Sequence, residues 1–188
     1  MTECEYKLEI RQTPKTGRET GTTKPYLKSL IYPMLAIKIV FPTRKTREEL
    51  ESLNYFCHLV LLSADGKEIQ TLIKNSIYAK SLYTVNFTGD TMVSGQVLND
   101  PVDGEPYIFF VFPEMAIRVP GEYSILCRVQ NMFDLDDPIQ EITTVPFKVY
   151  HHDQYVKPNK TTQLTKSFLI QGVRSFGICQ MLKKQVED

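Results

Sequence analysis

A chain of 188 residues that is 42% hydrophobic and 23% charged, with 9 glycines and 11 prolines, has the composition of an ordinary globular domain and excludes wholesale disorder. At this length about 70% of the surface of the unfolded chain can be buried, so no disulfide or metal staple is needed to hold a core. Basic and acidic residues balance at 22 each, and a net charge of zero argues against a uniformly polybasic nucleic-acid binder.

The first ten residues carry Glu3, Glu5, Lys7 and Glu9, and no window is long and apolar enough for a membrane span, so a chain of the nucleus and cytosol is expected, neither secreted nor membrane-bound. Cys4, Cys57, Cys127 and Cys179 are too widely spaced for a CxxC or Cys/His metal framework and read as isolated thiols. In that setting the sequons at Asn86 and Asn159 carry no glycan.

The balanced total conceals a polarised chain. Residues 11–47 contain nine basic residues against the single acid Glu19, residues 48–147 contain 15 acids against five bases, and residues 148–188 are again basic. If the two basic stretches meet in the fold, they give a positive face on an acidic body, as expected for contact with phosphates.

In chain order, Tyr6, Leu8 and Ile10 alternate with polar residues and predict a half-buried strand over 6–12. Pro14, Gly17, Gly21 and Pro25 punctuate 13–29, which reads as an exposed basic loop. The apolar run 34–41 between Pro33 and Pro42 predicts a buried strand. Thr46 and Glu49 fit a capping box, which predicts a two-turn helix as far as Leu53. A buried strand over 55–63 follows and closes at Ala64-Asp65-Gly66. Further strands are expected at 82–87, 92–98, 107–112, 122–130 and 144–150, the last with Pro146 marking an edge or bulge. Regular strands with turn chemistry and almost no helical periodicity indicate an antiparallel β-sandwich. The exception is 162–171, where Leu164, Phe168 and Gln171 share a helical face and Gly172 stands as the C-terminal cap. One domain over 6–180 with a short tail at 181–188 is expected.

Catalysis lacks a motif. There is no GxSxG, HExxH, GxxxxGK or GxGxxG, and no cofactor or small-molecule substrate is expected. His58 stands alone on a strand, and Asp134, Asp136 and Asp137 lack the glycine and distal glutamate of a calcium loop. Neighbouring His151 and His152 are expected to point to opposite sides of an extended chain, so no metal site is assigned.

The run Phe109-Phe110-Val111-Phe112-Pro113-Glu114-Met115-Ala116-Ile117-Arg118 followed by Gly121-Glu122-Tyr123 resembles the velvet-domain signature of fungal regulators. Pro146-Phe147-Lys148-Val149-Tyr150 and the series Thr162, Leu164, Lys166, Phe168, Gln171-Gly172-Val173-Arg174 are similar to two later segments of that family. Upstream, Ile10-Arg11-Gln12-Thr13-Pro14, then Arg18 and Gly21, then Ser63-Ala64-Asp65-Gly66 extend the resemblance over about residues 6–180. The family's KKFPG segment is replaced by Asp153-Gln154-Tyr155-Val156-Lys157.

The resemblance implies an immunoglobulin-like antiparallel β-sandwich with one or two short helices, shared with Rel-type domains. It also implies a transcriptional regulator that binds double-stranded DNA and pairs with another velvet-domain subunit, as a homodimer or heterodimer. The DNA-contacting region of the family falls on the basic loop, which nominates Arg11, Lys15, Arg18, Lys24 and Lys28. Arginine can read guanine bidentately, whereas lysine chiefly neutralises phosphate. The competing reading is a dimerisation module that has kept its partner surface with weak or no DNA binding of its own.

Overall fold

The computed structural model describes residues 6–21, 31–74, 81–133, 139–156, 158 and 160–174. In chain order the elements are β1 (Lys7–Gln12), β2 (Thr16–Arg18), β3 (Ile31–Tyr32), β4 (Leu35–Val40), α1 (Arg47–Glu51), β5 (Tyr55–Ser63), β6 (Leu72–Lys74), β7 (Tyr83–Val85), β8 (Phe87–Gly89), β9 (Met92–Ser94) and β10 (Gln96–Asn99). They continue with β11 (Pro106–Phe112), β12 (Met115–Ile117), β13 (Gly121–Asn131), β14 (Gln140–Thr143), β15 (Phe147–Tyr150) and α2 (Gln163–Ile170).

Two sheets face each other, as the alternation of side chains requires. The smaller has the order β1-β4-β11-β10, and the larger runs β3-β2-β15-β13-β5-β9 with β14 also on β13. Period-two alternation sends Leu35, Ile37 and Ile39 of β4 and Ile108, Phe110 and Phe112 of β11 into one core cluster. There they meet Cys57, Leu59 and Leu61 of β5 and Ile125, Cys127 and Val129 of β13. The expected sandwich is therefore present. Cys57 and Cys127 are free, buried thiols, and the neighbouring Cys57 together with burial pushes the Cys127 thiol well up.

Tyr123 lies near the start of the long central strand β13, and its hydroxyl donates to the Val119 carbonyl at 3.0 Å. This is the tyrosine-corner contact of immunoglobulin-type sandwiches, in which a strand-borne tyrosine pins the preceding chain crossing.

A second, smaller cluster lies on the outer face of the four-stranded sheet. Ala36, Phe109, Val111 and Leu98 meet Phe168 and Val173, so α2 covers that face. Thr162 caps α2 by accepting from the Thr165 amide at 3.1 Å. At the other end Gly172, at φ 96°, lets its amide bond Leu169 O and the Val173 amide bond Phe168 O, a Schellman closure with Val173 packed beside Phe168.

The expected capping box of α1 is formed, with the Glu49 amide donating to Thr46 Oγ1 and the Thr46 amide to Glu49 Oε2. The helix itself stops at Glu51, short of the expected Leu53. The expected loop over 13–29 is corrected in part, because Thr16–Arg18 form a strand parallel to β15 and antiparallel to β3. Gly17 sits between its two neighbours, where a Cβ would be in van der Waals contact with the Ile31 and Val149 side chains at 3.4 Å, so a side chain longer than alanine would press on both. The strand expected over 92–98 breaks at Gly95, where the chain passes from the larger sheet to the smaller. The strand expected from Thr144 starts only at Phe147, leaving Pro146, which has no amide hydrogen, outside the ladder.

Candidate nucleic-acid interface

Arg11 lies on β1, opposite in facing to Leu8 and Ile10, which pack on the core. Its guanidinium contacts Asp100 Oδ1 at 3.0 Å and Glu9 Oε1 at 3.2 Å. Lys38 on the adjacent β4 completes the cluster, 3.1 Å from Asp100 Oδ2, 3.5 Å from Glu9 Oε2 and 4.3 Å from the centroid of the Tyr107 ring. The Asp100 hydrogen bond, working against desolvation, raises the Arg11 pKa above its ordinary value. Arg11 is thus tied into a network of charges on the outer face of the four-stranded sheet.

Lys15 and Arg18 belong to a different surface, the β3-β2-β15 edge of the larger sheet. Lys15 is exposed, and its amide donates to Tyr32 O at 2.9 Å, which fixes the turn into β2. Gly17 faces the core, so Thr16 and Arg18 on either side of it face outward, in register with Lys148 and Tyr150 of β15. Arg18 is half-buried, and its Nε has no hydrogen-bond partner among the described residues. Burial raises the pKa of Tyr155, and the charge of Arg18 opposes that rise, which places the guanidinium near the phenol. Lys24 and Lys28 lie outside the described residues, as do Asp134, Asp136 and Asp137.

Two further cations reach this edge and were not nominated from sequence. The amides of Thr20 and Gly21 donate to Ile117 O and Arg118 O, and Arg118 Nη1 lies 3.5 Å from Gly21 O. Arg118 therefore stands where the chain enters the 22–30 segment. Lys148 projects beside Thr16, with its ammonium 5.1 Å from the Tyr150 ring. Alternation along Phe147-Lys148-Val149 puts Lys148 outward from sequence alone, but only the parallel β2–β15 pairing brings it next to Thr16, the neighbour of Lys15.

The expectation for His151 and His152 is overturned. The chain does not stay extended after β15 but turns over 152–154, with the Gln154 amide donating to His151 O at 3.0 Å. Both rings swing to the same side, their centroids 4.4 Å apart, and both face Glu19 at the end of β2.

A sequence model described as Velvet factor matches residues 70–176, more than half of the chain. The chain belongs to the velvet family. It is 32% identical over 126 residues to the spore development regulator umv1 of Mycosarcoma maydis, an alignment covering 66% of this chain and 15% of that protein. To the sexual development regulator umv3 of the same organism it is 26% identical over 185 residues, covering 90% of this chain and 44% of that protein. To the spore development regulator VOSA of Pyricularia oryzae it is 28% identical over 180 residues, covering 92% and 33% respectively. Less than half the length of each of these velvet relatives is therefore spanned. The nominated basic residues of 11–28 precede the matched Velvet factor segment, whereas Arg118 and Lys148 fall inside it.

Proposed function

We propose that this chain is a velvet-family regulator of development that works in the nucleus and cytoplasm by binding double-stranded DNA, rather than by catalysis. Lys15, Arg18, Lys24 and Lys28 are the proposed contacts, joined by Arg118 and Lys148, with Arg11 holding the strand from which the basic segment departs. The observation that supports this reading is that parts of both basic stretches meet at one sheet edge, where β2, carrying Arg18 from the first, pairs with β15, carrying Lys148 from the last, while Arg11 and Lys38 of the first stretch lie on the other sheet. Cations gathered on one edge of an otherwise acidic body provide a phosphate-facing surface. Titration of the purified chain against random duplex DNA by fluorescence anisotropy, at about 50 and about 200 mM salt, tests it. Roughly five phosphate contacts predict a log-log salt slope of about −4 to −5. No binding at the lower salt, or a slope near zero, would falsify the proposal.

A second reading, pairing with another velvet-domain subunit, has its own support in the β6–β7 hairpin. Antiparallel pairing sets Leu72 opposite Val85 and Lys74 opposite Tyr83 on one face, and Leu72, Tyr83 and Val85 are all exposed there. Ile69 and Leu82, just outside the two strands in sequence, are also exposed. An exposed face carrying Leu72, Tyr83 and Val85 beside Lys74 suits a protein partner. Sedimentation of the chain with and without Leu72→Asp tests it, a monomer at every concentration for the unaltered chain being the outcome that removes homodimer formation.

A further inference from the structure

We propose that Glu19, His151 and His152 form a binding site for a divalent transition-metal ion of the zinc class, with Asp153 orienting one of the ligands. The site is created by topology. Strands β2 and β15 run parallel and end side by side, with Arg18 opposite Tyr150 and the Glu19 amide donating to Tyr150 O at 2.9 Å. The turn that follows β15 then folds His151 and His152 back over the end of β2.

Distances fit a shared ion. Glu19 Oε1 lies 3.0 Å from His151 Nε2 and 3.3 Å from His152 Nδ1, and one ligand atom from each of the three residues falls within 4.8 Å of the others. A tetrahedral ion with bonds of about 2.0–2.1 Å separates its ligand atoms by about 3.3 Å, so the two glutamate–histidine separations already match and the two histidine nitrogens, within 4.8 Å of one another, would draw together on binding. Two imidazoles and one carboxylate are a known zinc donor set that leaves a coordination position to solvent. Imidazole nitrogen also selects against calcium and magnesium, which prefer oxygen ligands.

Proton counting at His151 points the same way. Its Nδ1 is 2.7 Å from Asp153 Oδ1 while its Nε2 is 3.0 Å from Glu19 Oε1, so both ring nitrogens face carboxylate oxygens. A neutral imidazole carries one N–H and must therefore turn one lone pair toward an anion. A metal ion at Nε2 removes that conflict. Nδ1–H donates to Asp153, the Nε2 lone pair binds the ion, and Glu19 supplies the negative ligand, the carboxylate–histidine–metal relay that fixes tautomer and ring orientation. Glu19 is held ready for this, its side chain being only 11% exposed, whereas His152 is 60% exposed and leaves the site open to solvent.

Bound metal would cross-link the end of β2 to the exit of β15 across more than 130 residues of sequence, at the edge that carries Arg18 and Lys148. Metal binding at this site is independent of DNA binding.

The test uses the whole chain, stripped with EDTA, re-equilibrated with zinc chloride and desalted, with zinc measured by mass spectrometry and the melting temperature measured in zinc and in EDTA. Stoichiometric zinc and a higher melting temperature in zinc are expected. Glu19→Gln and the paired change His151→Ala with His152→Ala should lose both, while melting in EDTA as the unaltered chain does. Asp153→Ala should weaken zinc binding about 10- to 100-fold, and His58→Ala should leave it unchanged. Zinc retention no greater in the unaltered chain than in the double histidine variant overturns the proposal. Loss of zinc on changing His58 also overturns it, by placing the ion elsewhere.

Discussion

Asp100 accepts from Arg11 Nη2 at 3.0 Å and from Lys38 Nζ at 3.1 Å, one carboxylate joining two cations on neighbouring strands at the outer face of the smaller sheet. Its side chain is only 1% exposed and that of Lys38 9%, so removing the carboxylate leaves two positive charges with the half-exposed Glu9 as their shared anion and little water to solvate them. Breaking a buried pair from one side costs about 3–5 kcal/mol. Asp100→Ala is expected to lose stability of that order in denaturant unfolding, and Arg11→Ala less, because Asp100 then keeps Lys38. If Arg11→Ala lowers the unfolding midpoint, any DNA-binding defect of that variant has to be corrected for stability before it is assigned to lost contact.

Acid should act through the same carboxylate. Burial pushes the Asp100 pKa up, but hydrogen bonds from Arg11, the Val102 amide and Lys38 together outweigh it and hold the group below the ordinary aspartate value. A depressed pKa gives stability that is fully present above the unfolded value of about 3.9 and is lost as pH falls through the lower folded value. The unaltered chain should therefore lose more stability than Asp100→Asn between about pH 5 and pH 2. Unfolding curves across that range, with the two proteins side by side, measure the difference; equal slopes would mean that Asp100 contributes nothing to acid sensitivity.

Much of this architecture is legible in the sequence. The alternation of Leu8 and Ile10, the apolar run around Ile37 and the Thr46–Glu49 box each carry a local signal, and each formed the expected element. What escaped was non-local. Strand β2 has no hydrophobic pattern and is set by its pairing with β3 and β15, which lays Gly17 beside Ile31 and Val149, residues far apart in sequence. Arg118 and Lys148 join the basic edge only through the pairing of β2 with β15 and the contact of Gly21 with Arg118. The convergence of His151 and His152 depends on a turn that no strong turn residue announces. Conversely, the choice of Arg11 followed charge, and sequence alone gave no sign that Asp100 stands opposite it.

Gly89 should be among the least replaceable residues. It ends β8 at φ +90°, a conformation that side chains disfavour, and a Cβ there would lie 2.0 Å from the backbone oxygen of Glu114. Neither strain can be relieved by a rotamer change, since the obstructing atom is main chain in the paired strand region. Gly89→Ala is expected to cost at least about 1–3 kcal/mol for the backbone conformation alone. Chemical denaturation provides the check, with Gly66→Ala as a comparison that shares the positive φ but meets no atom within 4 Å.

Helix α2 is fastened to the smaller sheet at two points that can be tested separately. Thr162 Oγ1 donates to Gln12 Oε1 at 2.5 Å and accepts from the Thr165 amide, while Gln12 Nε2 donates to Thr165 Oγ1 at 3.0 Å and to Met34 O at 2.8 Å. Phe168, fully buried, stands edge-on to Phe109 with centroids 4.9 Å apart. Thr162→Ala removes a cap at a cost of about 1–2 kcal/mol, and Phe168→Ala opens a cavity at about 3–5 kcal/mol. Hydrogen exchange should show the α2 amides losing protection in both variants, with the sandwich core strands β5 and β13 protected in each.

On the proposed DNA-binding reading, the salt dependence of binding divides the basic residues by role. Each lysine that neutralises a phosphate adds about one to the magnitude of the log-log slope, so Lys15→Ala and Lys148→Ala should each lower it by about one and weaken all duplex sequences alike. Arg18 has the guanidinium geometry that can reach a base edge, and Arg18→Lys keeps the charge while losing the planar fork. That variant should retain the slope and lose discrimination between sequences. Lys67, exposed and paired with Asp65 at a hairpin turn of the larger sheet, should leave both quantities unchanged when replaced by alanine. Anisotropy titrations over a salt series measure all four chains, and a slope that responds to Lys67 as strongly as to Lys15 would locate the phosphate contacts away from the β3-β2-β15 edge.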